Sequence, residues 1–78
     1  MSKRFACPCC GFLTLKRRGH YDICRVCFWE DDGGNDDHRH SGPNHMTLGE
    51  ARQNFARLGA CDEGSLAFVR PPLPYEIP

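Results

Sequence analysis

Six cysteines in 78 residues carry most of the chemistry this chain has to offer, and five of them crowd into two short stretches. "FACPCCGF" holds Cys7, Cys9 and Cys10, and "CRVC" holds Cys24 and Cys27. Thiols at such spacing form disulfides, exchange electrons or bind a metal ion. Two C-x-x-C pairs, Cys7 with Cys10 and Cys24 with Cys27, lie thirteen residues apart. This is the pattern of a four-thiolate zinc site: each pair puts two sulfurs on one turn, and the segment between them is long enough to go out and return. The opening triplet cannot aim all three sulfurs inward. Pro8 fixes φ after the first ligand and Gly11 relaxes the backbone after the second, so Cys7 and Cys10 read as ligands and Cys9 as the thiol left over.

Other uses of the same thiols stay open. A redox C-x-x-C belongs at the strand-to-helix junction of a βαβ unit, a pattern that surrounds neither pair, although Cys9 beside the site keeps a thiol redox protein in play. Iron held by four thiolates has nearly the geometry of zinc. Cys61 reads as a small buried hydrophobe, and a Cys9 to Cys61 disulfide needs an oxidising compartment. The start "MSKRFACPCC" has no apolar core and no cleavage site of a secretory signal, and no run of about 18 apolar residues follows. A cytoplasmic location is expected, where paired cysteines serve metals or catalysis more often than disulfides.

The elements that must position these ligands are small. A chain of this size buries only about 60% of its unfolded surface, so a staple is expected. The fold class that follows is a small metal-stabilised α+β domain: a zinc-ribbon, rubredoxin-like β-hairpin with two zinc knuckles, then one α-helix and an extended proline-rich tail. Residues 1–29 form the ribbon, 30–46 an acidic and polar loop, 47–59 the helix and 60–78 the tail. In the ribbon, Phe12 to Leu15 and Tyr21 to Ile23 are β-prone runs flanking "KRRG", with Leu13 and Leu15 on one face and Phe12 and Thr14 on the other. The segment "EDDGGNDDHRHSGPN" is too polar to bury. Thr47 as N-cap and Glu50 three residues on make a capping box, Leu48, Ala51, Phe55 and Leu58 share a face, and Gly59 stops the helix. "SLAFV" fits a short strand or one more turn, and "RPPLPYEIP" is expected to be extended, because its prolines exclude helix and central strand.

Taken together, "CPCCGFLTL", "YDICRVCFWEDDG" and "GPNHMTLGEARQNFARLGA" resemble the bacterial cysteine-rich CPCC family of small proteins, over nearly the whole chain. The resemblance implies a cysteine-rich, zinc-binding domain and brings no established activity. One departure is Arg25, where such proteins commonly have proline after the first cysteine of the second pair.

Ten basic and ten acidic residues cancel, but unevenly. Residues 1–27 carry six cations against Asp22, while Glu30, Asp31, Asp32, Asp36 and Asp37 crowd the next ten positions. Four thiolates and one divalent ion leave the loaded protein at a formal −2, which disfavours general binding to phosphate backbones. Phe28 and Trp29 are expected in the core with the acids solvated outside; a functional alternative makes Trp29, Glu30, Asp31 and Asp32, with Lys16, Arg17 and Arg18, an interaction surface. A calcium loop fails because Gly33 or Gly34 stands where Asp or Asn is needed. His38, His40 and His45 with Asp36 and Asp37 read as a solvated loop rather than a second metal site. The tip "KRRGH" reads first as a turn that needs exposed polar residues, with phosphate contact as the alternative, and "RPPLPY" looks like a polyproline ligand but reads as an extended, wrapped terminus. Four thiolates close the coordination shell, leaving no position for water or substrate, so no enzyme is expected. The leading expectation is a zinc-binding structural domain that presents a surface to a protein partner, without membrane contact. A nucleic-acid-binding zinc ribbon using the basic tip is the alternative from another class, with the thiol redox protein behind it.

Overall fold

Each C-x-x-C segment folds back on itself, and this local reversal organises the N-terminal half of the computed structural model, which describes residues 3–78. Strand β1 (Phe5–Ala6) enters the first cysteine turn and β2 (Leu13–Leu15) leaves it, paired antiparallel with Phe5 opposite Leu15 and Ala6 opposite Leu13. Around the second turn, Ile23 bridges Glu30 in the same antiparallel sense. The hairpin expected between Phe12 to Leu15 and Tyr21 to Ile23 is therefore not formed. Each knuckle instead closes on its own flanks through the bonds of its turn, Cys7 N–H to Phe12 O and Cys24 N–H to Trp29 O. Tyr21 also adopts a left-handed backbone with φ 62°, which interrupts an extended run. The expected alternation fails too: Thr14 and Leu15 are both buried, so β2 is covered on both faces.

Strands β3 (His40–Ser41) and β4 (Met46–Thr47) make a second antiparallel pair, with His40 opposite Thr47 and Ser41 opposite Met46. They lead into α1 (Leu48–Leu58). Its capping box is present: Thr47 Oγ1 accepts from Glu50 N–H at 3.1 Å, and Glu50 Oε1 accepts from Thr47 N–H at 3.0 Å. Such a cap stabilises a helix by about 1 kcal/mol. Gly59, at φ 86°, ends the helix and donates to Phe55 O, a conformation open to glycine without cost. Leu48 and Ala51 are fully buried, and Phe55 packs edge-on against Phe12 with ring centroids 6.3 Å apart. No helix among the described residues is long and apolar enough to cross a membrane.

The core is Cys7, Cys9, Leu15, Cys24, Val26, Cys27, Trp29, Leu48, Ala51 and Cys61, so five of its ten members are cysteines. Apolar burial alone is thin, and the sulfur cluster sits at the centre of what there is. Trp29 supplies the largest side chain. Its Nε1–H is buried without an acceptor, a cost of about 1–3 kcal/mol. Burying an indole of 150–250 Å² at about 25 cal/mol per Å² outweighs that.

The tail is not simply extended. Residues Glu63–Phe68 form a 3₁₀ helix capped by Asp62, so of the strand and the turn left open for "SLAFV" the turn is formed, and Pro74–Glu76 form a second 3₁₀ turn. Pro74 stands in the first turn, where its missing N–H removes no helical bond. Glu76 is buried and takes Arg70 Nη1 and Nη2 at 2.8 and 3.0 Å, with Leu73 N–H donating at 2.8 Å. Bonding to Arg70 outweighs burial and holds this carboxyl below its ordinary value. Unfolded, it titrates near the ordinary value of about 4.3, so the contribution is complete above that range and is lost as pH falls through the lowered folded value. Urea unfolding of the metal-loaded protein is expected to show a stability gap between wild type and Glu76→Gln that stays constant from about pH 8 to about pH 6, above both the folded and the unfolded carboxyl values. A gap that shrinks within that range would remove Arg70 as the cause.

Candidate metal centre

The two cysteine turns share one hydrogen-bond plan. In the first, Gly11 N–H donates to Cys7 O at 2.8 Å and Cys7 N–H to Phe12 O at 2.9 Å; in the second, Phe28 N–H donates to Cys24 O at 2.8 Å and Cys24 N–H to Trp29 O at 2.9 Å. The residue after the second cysteine is left-handed in both, Gly11 at φ 82° and Phe28 at φ 70°. Glycine adopts this freely, whereas phenylalanine bears roughly 1–2 kcal/mol of strain. Phe28 keeps the conformation while its ring stacks on Phe68 at 5.2 Å. Aligning "CPCCGF" with "CRVCFW" is the signal that marks Phe28 as the counterpart of Gly11.

These turns bring Cys7, Cys10, Cys24 and Cys27 together, with all four sulfurs within 4.8 Å of one another. Cys7 Sγ lies 3.6 Å from Cys27 Sγ and Cys10 Sγ lies 3.7 Å from Cys24 Sγ, so the closest contacts run between knuckles. A tetrahedral ion at about 2.3 Å from each sulfur needs sulfurs about 3.8 Å apart. The cluster is thus of a size to hold one metal ion. Cys9 is buried outside this set, and Cys61 likewise. Burial pushes the Cys61 thiol up to about 11, keeping it neutral as the sequence suggested. Among the described residues no second group of His, Cys, Asp or Glu converges in this way; His38, His40 and His45 are exposed, as are Asp36 and Asp37.

The surroundings favour negative charge at one sulfur. Cys24 is pulled far below the ordinary thiol value by hydrogen bonds from Cys10, Cys27 and Cys7, with Thr14 adding its hydroxyl at 2.9 Å. Contact with Cys10 first, then Cys24, holds Cys7 far above that value, and contact with Cys24 and then Cys27 does the same for Cys10. Cys10 favours the Cys27 thiolate, but Cys24, Cys7 and Cys9 together keep that thiol protonated. Four close sulfurs cannot all ionise unaided. A divalent ion taking four thiolates must displace their protons, so its hold weakens as pH falls.

Residues 5–76 match the family described as Cysteine-rich CPCC. The chain belongs to this family. No curated protein and no solved structure matches it.

Within the CPCC chain, two members of the expected acidic and aromatic surface lie inside the fold. Trp29 is 1% exposed and Asp31 0%, so neither presents anything to a partner. Asp31 instead accepts from Arg18 Nε at 2.9 Å, Gly19 N–H at 2.8 Å and Gly33 N–H at 3.1 Å. Asp32 accepts from Ser41 Oγ at 2.7 Å, Gly34 N–H at 3.0 Å and Arg39 Nη1 at 3.2 Å. Burial would raise its carboxyl, but these donors prevail and hold it below the ordinary value. The acids are internal brackets for the polar loop because each finds several donors there. Glu30 is half-buried, its backbone paired with the Asn44 amide. Lys16 and Arg17 are exposed, and Arg18 is half-buried.

Several residues that support the CPCC centre escape sequence reading. Arg52 lies half-buried and donates to Pro8 O at 2.8 Å and Asn35 Oδ1 at 3.0 Å, with Asp37 as its ion-pair partner, which clamps α1 to the first knuckle. Asn54 Nδ2 donates to Cys61 O, and Cys61 N–H to Cys27 O, tying the helix to the second knuckle. Thr14 carried one usable sign: a hydroxyl in the strand that leaves the first cysteine turn.

Proposed function

We propose that this CPCC protein is a non-enzymatic zinc-binding domain whose ion is the principal staple of the fold, and that its surface serves a protein partner in a reducing cytoplasm. The observation that carries the reading is the convergence of four sulfurs from two equivalent turns, two of them 3.6 Å apart across the knuckles. The zinc-ribbon description rests on the same equivalence, since each knuckle is a turn flanked by short antiparallel pairing. Zinc is preferred to iron because it is the usual occupant of closed four-thiolate structural sites. All four ligand positions would be filled by protein, which speaks against hydrolytic chemistry at the ion.

Native mass spectrometry of protein purified without added metal tests this. One zinc per chain, lost in the single variants Cys7→Ser and Cys24→Ser and retained in Cys9→Ser, is the expected result. One iron, no metal, or zinc that depends on Cys9 would defeat the assignment.

A further inference from the structure

Three of the cations left without a carboxylate partner among the described residues line one cleft: Arg4, Lys16 and Arg25. They come from the N-terminal strand region, the segment after β2 and the second knuckle, so folding gathers them from distant positions. The cleft has a volume of about 650 Å³, within the range of small-ligand sites. Two acids also line it, and both are engaged: Asp22 faces Arg17 at 3.7 Å, and buried Glu76 holds Arg70 at 2.8 Å. The cleft therefore keeps a surplus of positive charge that nothing within it neutralises.

Its walls are not purely ionic. Tyr75 is 59% exposed with the Arg4 guanidinium 5.8 Å from its ring centroid, and Ile23 is 42% exposed. The frame is braced, since Arg70 N–H donates to Arg25 O at 3.2 Å and Thr14 in the wall bonds Cys24 Sγ.

We propose that this cleft binds a nucleoside phosphate, its phosphoryl oxygens on Lys16, Arg25 and Arg4 and its base against Tyr75 and Ile23. Arginine and lysine recognise phosphate by charge-assisted hydrogen bonds, and an exposed aromatic face accepts any base. An inorganic anion would leave the apolar wall unused, and a run of Asp and Glu side chains carries no aromatic ring to stack on Tyr75. The inference stands apart from the protein-partner reading and does not depend on which metal fills the centre.

Calorimetric titration of the full-length, metal-saturated protein with ATP, pyrophosphate and adenosine tests it. ATP is expected to bind saturably at one per chain, more tightly than pyrophosphate, with adenosine undetectable, and to weaken several-fold between 50 and 200 mM salt. The double variant Lys16→Gln/Arg25→Gln is expected to weaken ATP at least about tenfold. Arg57→Gln, a change on α1 outside the cleft, leaves binding as it was. Tyr75→Ala should weaken ATP and spare pyrophosphate. No saturable binding at low salt overturns the proposal, as does an Arg57→Gln effect equal to that of the double variant. If the double variant loses metal affinity while the wild type binds no ATP, the cations serve the thiolate cluster and the site is refuted. Single-stranded RNA whose affinity grows with length, or an acidic peptide tighter than ATP, gives the cleft to another class of ligand and equally overturns it.

Discussion

Stripping the metal is expected to unfold the protein, with loss of the near-UV circular dichroism of Trp29 and a red shift of its emission. The reason is the composition of the core. Five of its ten residues are cysteines, three of them proposed ligands with the fourth, Cys10, packed against them, so the sulfurs lie where other domains put leucine and valine. At 0.05–0.15 kcal/mol per residue, a domain of this length has about 4–12 kcal/mol of net stability. Structural zinc supplies apparently about 10–16 kcal/mol in small domains, which is as much as the whole. Cys24→Ser should approach the effect of chelation, because Cys24 Sγ also accepts from Thr14 and from Cys27 N–H. A near-UV spectrum that survives confirmed metal loss would show that packing alone holds the fold.

Asp31→Ala is expected to cost about 3 kcal/mol in urea unfolding of the metal-loaded protein, near the low end for breaking a buried ion pair. The carboxylate is fully buried and accepts three hydrogen bonds, from Arg18 and the Gly19 and Gly33 amides. Arg18 is half-buried and regains water when its partner goes, which keeps the cost from the top of the range. The two glycine amides lose their acceptor, and the segment after β2 loses its tie to the loop that follows Trp29. Asp36→Ala, at an exposed position, should stay within about 0.5 kcal/mol of wild type. Equal losses in the two variants would make Asp31 a bystander.

The convergence of four thiols was legible because the constraint is local. Two residues between cysteines define a turn that aims two sulfurs one way, and Pro8 and Gly11 single out Cys10 over Cys9 without any distant information. The helix was legible for the same reason, through Thr47, Glu50 and Gly59 acting within a few residues of themselves. Strand pairing was not. "LTL" and "YDI" are equally β-prone, and only the closure of each knuckle on its own flanks sends Leu13–Leu15 to Phe5–Ala6 and Ile23 to Glu30. The 3₁₀ turn at Pro74–Glu76 was hidden because its anchor, Arg70 on buried Glu76, is a tertiary pair in a segment rich in proline.

Residue type and short spacing alone thus determined which four thiols converge, the bounds of the helix and membership in a recognisable family. Only the tertiary structure decided the fate of the charges. Whether an aspartate is solvent-facing or buried depends on donors brought from elsewhere in the chain, and "EDDGG" contains no hint of Arg18, Arg39 or Ser41. Those donors drew the acids inward and left Lys16 and Arg25 unneutralised beside Tyr75. A chain with no net charge acquires a cationic cleft because electrostatic pairing follows distance in space, which sequence order does not encode.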